Sequence, residues 1–243
     1  MLFRSAYYYA AGMTEPKIVE LLQQMGIFIS AGQVSNLLTK KNERWEAEAE
    51  AVLKAGLAST AWQHIDDTAT RVNGENQHCH ILCNPFYTWY ATRPKKDRLS
   101  VIAVLQNSGA PTYRLNEKTG AWLETFAVPQ WAQQRIAEWP QGQALTHEEI
   151  SRLLAQELAD RLNDQQQARV LEAAALTAYY SQSDIPVIPV LISDDAPQFR
   201  YLTEAQGLCW VHEGRHYKKL TPFVPYHREV LDAFLTQFWD YYH

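Results

Sequence analysis

The N-terminal part of the chain spaces its apolar residues as an amphipathic α-helix does. Residues 14–25, TEPKIVELLQQM, begin with Thr, Glu and Pro and place apolar side chains three and four positions apart. Gly26 can adopt the left-handed conformation that ends a helix, and Ser30 with Gln33 forms a capping box for a second helix. The pattern therefore predicts two helices joined by a tight turn.

The second predicted helix, SAGQVSNLLTKK, buries its apolar residues and turns its polar ones outward. In a helix-turn-helix, such a helix enters the major groove of DNA and brings polar side chains to base edges. The pattern alone leaves open an ordinary pair of packed helices, which is common in all-α proteins. The candidate DNA contacts are Gln33, Ser35, Asn36, Thr39, Lys40 and Lys41.

The hydrophobic pattern changes at Ser59. Residues 42–58 are rich in Ala, Glu and Leu, which favours one continuous helix. Beyond it the chain becomes rich in β-branched and aromatic residues, with turn sequences at Asn73-Gly74 and Asn84-Pro85. We expect three strands in meander order.

The remainder of the chain alternates helical patterns with apolar strands. KDRLSVIAVLQNSG predicts a helix, and residues 121–180 are predicted to be mainly helical. IPVIPVLISDD is uniformly apolar, which favours a strand covered on both faces; GLCWVHEG is predicted as the next strand and HREVLDAFLTQFWDYYH as a final helix. This order indicates an α/β protein with a mixed sheet.

We expect an all-α domain over residues 1–45, a linker helix over 46–58 and the α/β domain over 59–243. The chain has no apolar run that could span a membrane, and its three cysteines argue against a disulfide framework, so we expect a cytoplasmic protein. Its net charge of −5 argues against a nucleic-acid partner, because phosphate binding depends on Lys and Arg. Residues 1–45, however, carry five basic groups against three acidic ones.

Two aspartates, Asp66 and Asp194, each follow a hydrophobic strand directly. If the two strands are neighbours, the carboxylates converge, and such a pair normally needs a hard cation such as Mg²⁺ to offset its repulsion. Side chains alternate across a strand, so the adjacent Asp67 and Asp195 should face away. An Asp-Asp pair after a strand is also an ordinary turn or helix-cap sequence, and that alternative stays open for each site.

Other residues with metal-binding or phosphate-binding chemistry support weaker hypotheses. A zinc site built from His78, Cys79, His80 and Cys83 is disfavoured, because the histidines and cysteines alternate across a strand. Cys209 with His212 permits a thiol hydrolase. Two basic clusters could bind phosphate or could be a solvated surface: Arg215, His216, Lys218 and Lys219, and Arg93, Lys95, Lys96 and Arg98.

Three blocks of the chain resemble, in the right order, the catalytic core of DDE transposases from bacterial insertion sequences. HIDDTATRVNGENQHCHIL resembles the first catalytic block, PVLISDDAPQF the second, and LCWVHEGRHYKKL the Cys-x-x-His and Arg element that follows it. GIFISAGQVSNLLTK resembles the helix-turn-helix that precedes the core in this family. The similarity covers patches from about Gly12 to Leu220 and leaves residues 105–180 unassigned.

The resemblance implies a ribonuclease-H-like core with a helical insertion over about 121–180. It makes Asp66 and Asp194 the first two catalytic, metal-binding carboxylates, with Mg²⁺ or Mn²⁺ as cofactor, and gives Cys209 and His212 a structural role. The implied activity is metal-dependent cleavage and strand transfer of double-stranded DNA at transposon ends, by a homodimer associated with the nucleoid. Arg215, Lys218 and Lys219 would then contact DNA.

The family's third carboxylate, a Glu on a later helix, has no match before His243. Glu213 and Glu229 lie too close to the Cys-x-x-His block to be convincing candidates. We therefore expect either a transposase truncated at its C-terminus or, as the alternative, a decayed and catalytically inactive DNA-binding protein.

Overall fold

A computed structural model describes residues 10–40 and 43–242 together with Tyr8, so the predicted DNA contact Lys41 lies outside the described residues. The chain divides into two compact units, with the boundary between Ala51 and Val52. This boundary falls inside the helix Glu43–Ser59 (α3), which contains the predicted linker 46–58. None of the described helices is long and apolar enough to cross a membrane.

The N-terminal unit contains the two predicted helices, α1 (Glu15–Gln24) and α2 (Ala31–Thr39). Gly26, which follows the end of α1, has a φ of +78°, a left-handed conformation that glycine adopts without steric cost. Ser30 begins α2 through the predicted capping box, because its hydroxyl accepts from the Gln33 N–H. The two helices pack through a small apolar core formed by Ile18, Leu22, Val34 and Leu38.

The second unit is built on a five-stranded mixed sheet of order β3-β2-β1-β6-β7. The first three strands form the predicted antiparallel meander, and β6 and β7 continue the sheet in parallel with β1. Both residues of the β1–β2 turn, Asn73 and Gly74, have positive φ angles of 51° and 85°, as a two-residue type I′ hairpin requires. The strands are β1 (Trp62–Val72), β2 (Glu75–Asn84), β3 (Tyr87–Arg93), β6 (Val190–Ser193) and β7 (Ala205–Leu208).

Helices connect β3 to β6, which confirms the predicted α/β class and the mainly helical character of residues 121–180. Within this block a two-stranded ribbon pairs β4 (Tyr113–Arg114) with β5 (Ala144–Leu145). The helices are α4 (Arg98–Leu105), α5 (Thr119–Thr125), α6 (Gln130–Ala137), α7 (His147–Glu157) and α8 (Asp164–Tyr180). After β7 come α9 (Trp210–Lys218) and α10 (Pro225–Tyr242).

Two details of the strand predictions are wrong. GLCWVHEG is not one strand: β7 ends at Leu208, and Trp210 begins α9. The apolar segment IPVIPVLIS forms a strand only over its last four residues, because Pro186 and Pro189 have no N–H to give to a ladder. Its two faces also differ, since Leu191 is buried whereas Ile192 is only partly buried. The strand is therefore covered fully on one face alone.

The covered face of the sheet forms the main hydrophobic core. Ile65, Leu82 and Leu191, from β1, β2 and β6, have at most 3% of their surface exposed. They belong to one buried cluster with apolar residues of α4 and α8, among them Val101 and Val170. Burial of this kind contributes about 1.5–3 kcal/mol for each large side chain. The opposite face, which carries Asp66, is left largely open.

A buried polar network joins the end of α3 to the first three strands. The Gln63 side chain is fully buried; its amide donates to the Gly56 carbonyl at 3.2 Å, and its oxygen accepts from the Tyr87 hydroxyl at 3.0 Å. Asn84 donates to the same Gly56 carbonyl at 3.1 Å. Gly56 is required here, because a Cβ at this position would lie 2.5 Å from the Tyr87 ring.

We expect Gly56→Ala to lower the free energy of unfolding by about 1–3 kcal/mol, because the Tyr87 ring is buried and hydrogen-bonded and cannot move aside. Urea denaturation measures the change. Gly120→Ala is the matched control, because Gly120 lies in α5 with nothing within 4 Å of its added Cβ. Equal stability of the two variants would contradict the close approach.

Candidate functional site

The pairing of β1 with β6 places the two candidate aspartates on neighbouring strands. Asp66 lies within β1, which continues to Val72, and not after a strand as predicted, whereas Asp194 directly follows β6. His64 pairs with Ile192 in parallel register, and Asp66 and Asp194 each lie two residues further along. Neighbouring strands are about 4.8 Å apart, and residues in register point to the same face. The sequence analysis assumed that these two strands are neighbours, and the structure confirms that they are.

Both aspartates border one cleft of about 540 Å³ at this edge of the sheet. Its lining also includes Cys209 at the start of α9, and His212 and Arg215 one and two turns along that helix. The helix follows β7 directly, and the Cys209 N–H donates to the Ser193 carbonyl at 2.6 Å. This bond holds the start of α9 beside the strand that carries Asp194.

Each aspartate has one oxygen held by a backbone N–H. Oδ1 of Asp66 accepts from the Asp67 N–H at 2.8 Å, and Oδ1 of Asp194 accepts from the Ala196 N–H at 3.0 Å. The second oxygen of each carboxylate is not used in these bonds. Magnesium in proteins is commonly held by one or two carboxylates together with water and substrate phosphate, so the pair fits such an ion. No group of three or more His, Cys, Asp or Glu side chains in the described ranges is arranged to hold a metal.

The adjacent aspartates are engaged elsewhere. Asp67 borders the cleft, but its carboxylate accepts from the Gln198 amide at 3.0 Å and lies 3.8 Å from the Lys96 ammonium. Asp195 lies 3.8 Å from His212 and is mostly exposed. Alternation accounts for Asp67, whose pairing partner His80 faces the core, but not for Asp195, which lies beyond the end of β6 and approaches His212 of the cleft.

The segment after Asp194 is fixed by a buried ion pair that the sequence analysis missed. Both interpretations of the basic cluster, phosphate binding and a solvated surface, are wrong for Arg98, because only 8% of the residue is exposed and it pairs with Glu172. Its guanidinium also donates to the carbonyls of Pro197 at 2.7 Å and Arg200 at 3.2 Å. The sequence offered one clue: Arg98 follows Asp97, which caps α4, and is itself followed by mostly apolar residues.

Burial raises the pKa of Glu172, although the nearby Arg98 opposes this shift. Gln198, which holds Asp67, lies in the short 3-10 helix Pro197–Phe199, between the two carbonyls that Arg98 binds. Arg98 therefore supports, through this helix, the part of β1 that carries Asp67 next to Asp66.

The alternating histidines and cysteines of β2 face opposite sides of the sheet. His80 is fully buried on the core side, where its Nε2 lies 3.3 Å from the Lys95 carbonyl, and burial lowers its pKa. Cys83, which pairs with His64, borders the cleft on the other side. The four side chains of the zinc hypothesis do not converge.

The remaining basic candidates on α9 divide into different environments. Arg215 borders the cleft, whereas the Lys218 ammonium lies 5.2 Å from the centre of the Trp239 ring and Lys219 is exposed. Glu213 hydrogen-bonds Tyr217, which raises the pKa of that tyrosine. Glu229 is exposed on α10, and neither glutamate borders the cleft.

The candidate DNA contacts of α2 are mostly exposed. Asn36 and Lys40 are exposed, and Ser35 is partly buried. The Gln33 side-chain oxygen accepts from the Ser30 N–H at 3.1 Å, so the cap uses the group that the hypothesis assigned to a base edge. The Thr39 hydroxyl donates to the Ser35 carbonyl at 2.9 Å.

Comparison with known proteins finds one significant curated match, the uncharacterized protein y4jO of Sinorhizobium fredii. It is 27% identical over 191 residues, which cover 79% of this chain and 58% of that protein. The chain thus matches little more than half the length of this relative. No protein-family model and no solved structure match the chain.

We expect Arg98→Met to lower the free energy of unfolding by about 3–5 kcal/mol at pH 7.5, because it leaves the Glu172 carboxylate buried without its partner. The loss should be smaller at pH 5. Arg98 lowers the pKa of Glu172, so in the variant that pKa rises further above its unfolded value. The folded variant therefore takes up the proton before the unfolded chain does as pH falls, and this recovers part of the lost stability.

Urea denaturation of wild type and variant at both pH values measures this difference. Arg152→Met is the control, because Arg152 is exposed on α7 and its loss should change stability little. A loss that does not depend on pH would contradict the role of Glu172.

Proposed function

We propose that this chain is part of a DNA transposase, in which a helix-turn-helix reads the element end and the α/β unit cuts and joins DNA strands. The observation that carries the proposal is the pairing of β1 with β6, which aligns Asp66 with Asp194 beside one cleft. Carboxylates on two neighbouring strands of the sheet are what the resemblance to DDE transposases requires.

The sheet supports a ribonuclease-H-like core for the α/β unit. The antiparallel strands β1, β2 and β3 form one part of the sheet, and β6 and β7 extend it in parallel with β1. A large helical block separates β3 from β6 along the chain. The chain direction, the strand neighbours and the position of the helical block all agree with the expectation from the catalytic blocks. No solved structure matches, so the support is this topology alone.

The side chains that line the cleft would have different roles in the proposed reaction. Asp66 and Asp194 both border the cleft, while backbone N–H groups hold one oxygen of each carboxylate and so fix its orientation. Magnesium bound between them would neutralise charge on the scissile phosphate and lower the pKa of an attacking water. Arg215 can contact a non-bridging phosphate oxygen, because its guanidinium presents several donors at the same cleft.

A decayed, DNA-binding relative is the second candidate. In the described part of the chain, the carboxylates that border the cleft are Asp66, Asp67 and Asp194, and Asp67 is already bonded to Gln198. Two free carboxylates would hold an ion less firmly than three, so this candidate predicts DNA binding with little cleavage. Activity, homodimerisation on DNA and association with the nucleoid are proposals for the whole protein.

We expect Mn²⁺ to bind between Asp66 and Asp194, with anomalous density that bridges the two carboxylates in soaked crystals. Asp66→Asn or Asp194→Asn should weaken Mn²⁺ binding by more than about tenfold, since substitution of groups that only orient a metal ligand already costs about 10–100-fold. Asp195→Asn, next to the site and mostly exposed, should bind normally. Diverging carboxylates without density would favour the decayed relative.

We expect Lys40→Ala to weaken binding to a mixed-sequence duplex and to reduce the slope of log K against log salt by about one, because one phosphate contact is lost. Fluorescence anisotropy over a salt series measures both quantities. Lys54→Ala, an exposed lysine on α3 outside the two reader helices, is the control. Equal slopes for the two variants would argue against α2 as the DNA-contacting helix.

A further inference from the structure

The open face of the sheet continues from the cleft across β1, β2 and β3. Asp66 pairs with Ile81, and Ile81 pairs with Tyr90, so the three side chains form one row on the same face. At about 4.8 Å between strands, Tyr90 lies roughly 10 Å from Asp66. The row leads away from Asp194, through Ile81 at the border of the cleft, to the exposed Tyr90.

Tyr90 is the prominent aromatic residue of this face. Its residue surface is 66% exposed, and its ring stacks on no other aromatic ring among the described residues. Thr88 and Thr92 flank it on the same face of β3, and both are exposed. An exposed ring between two hydroxyl groups presents a flat apolar surface with polar neighbours to a ligand.

We propose that Tyr90 is a stacking platform for an unpaired base of the DNA strand whose phosphate lies at Asp66 and Asp194. This inference rests on the proposed function. Sheet-borne aromatic rings stack bases of single strands without sequence preference, and threonine hydroxyls bond phosphate or sugar oxygens. About 10 Å corresponds to a few nucleotides of a strand at roughly 3.4 Å or more per step. Tyr90 would therefore hold a base close to the scissile phosphate.

The chemistry of the row favours a nucleic-acid strand over a folded protein partner. The side chains around Tyr90 are threonines and, on β2, the half-buried Cys79, Ile81 and Cys83, so the surface is small and uncharged. A stable protein interface needs a much larger apolar area. One ring beside hydroxyl groups suits a single base and its backbone.

The test compares a blunt duplex with the same duplex carrying a short single-stranded 3′ extension that contains 2-aminopurine, in Ca²⁺ to prevent cleavage. Wild type should bind the extended DNA more tightly and quench the 2-aminopurine fluorescence. Tyr90→Ala should weaken binding to the extended DNA by about tenfold and abolish the quenching, with blunt-duplex affinity unchanged. Tyr90→Phe should behave as wild type, because it keeps the ring.

Phe86→Ala is the matched control, since Phe86 is 73% exposed but precedes β3 and lies outside the paired row. If Tyr90→Ala binds and quenches as wild type does, the platform is wrong and the proposed function stands. If wild type binds neither DNA, both proposals fail. If Tyr90→Ala instead changes the oligomeric state in light scattering and leaves DNA binding intact, a protein covers this face and the platform is overturned.

Discussion

The parallel pairing of β1 with β6 is the contact on which the rest of the α/β unit depends. It joins an antiparallel meander near the start of the unit to a strand more than a hundred residues later, and it sets Asp66 beside Asp194. A shift of one residue would turn one of the carboxylates to the buried face, because side chains alternate along a strand. The register is held by the burial of Ile65 and Leu191 on the other side.

The two faces of the sheet have different tasks. The buried face carries the apolar core, and at its edge Arg98, paired with Glu172, holds the segment that follows Asp194. The open face carries the candidate carboxylates and a row of neutral side chains that ends at Tyr90. A rigid, buried support below an accessible surface is the arrangement that orients charged groups for a ligand. The proposed chemistry therefore needs both faces.

Several elements could be predicted from local sequence alone. The capping box at Ser30 begins α2, and Asn73-Gly74 forms the first hairpin turn, because these residues act through their own backbone and near neighbours. Arg98 was misplaced for the opposite reason. Its partner Glu172 lies 74 residues away, and nothing in the local pattern distinguishes a buried arginine from a solvated one. The same limit applies to the strand GLCWVHEG, where a bond from Cys209 to Ser193 marks the start of a helix.

By itself, the sequence determined the class of the protein and its candidate groups: helices before a mixed α/β unit, and an aspartate directly after each of two apolar segments. Alternation along a strand also determined that Asp66 and Asp67 face opposite sides. Only the tertiary structure decided which strands are neighbours, which basic residues are buried and which face of the sheet is open. These depend on contacts between distant parts of the chain, and such contacts are selected by the burial of the whole core rather than by any short segment.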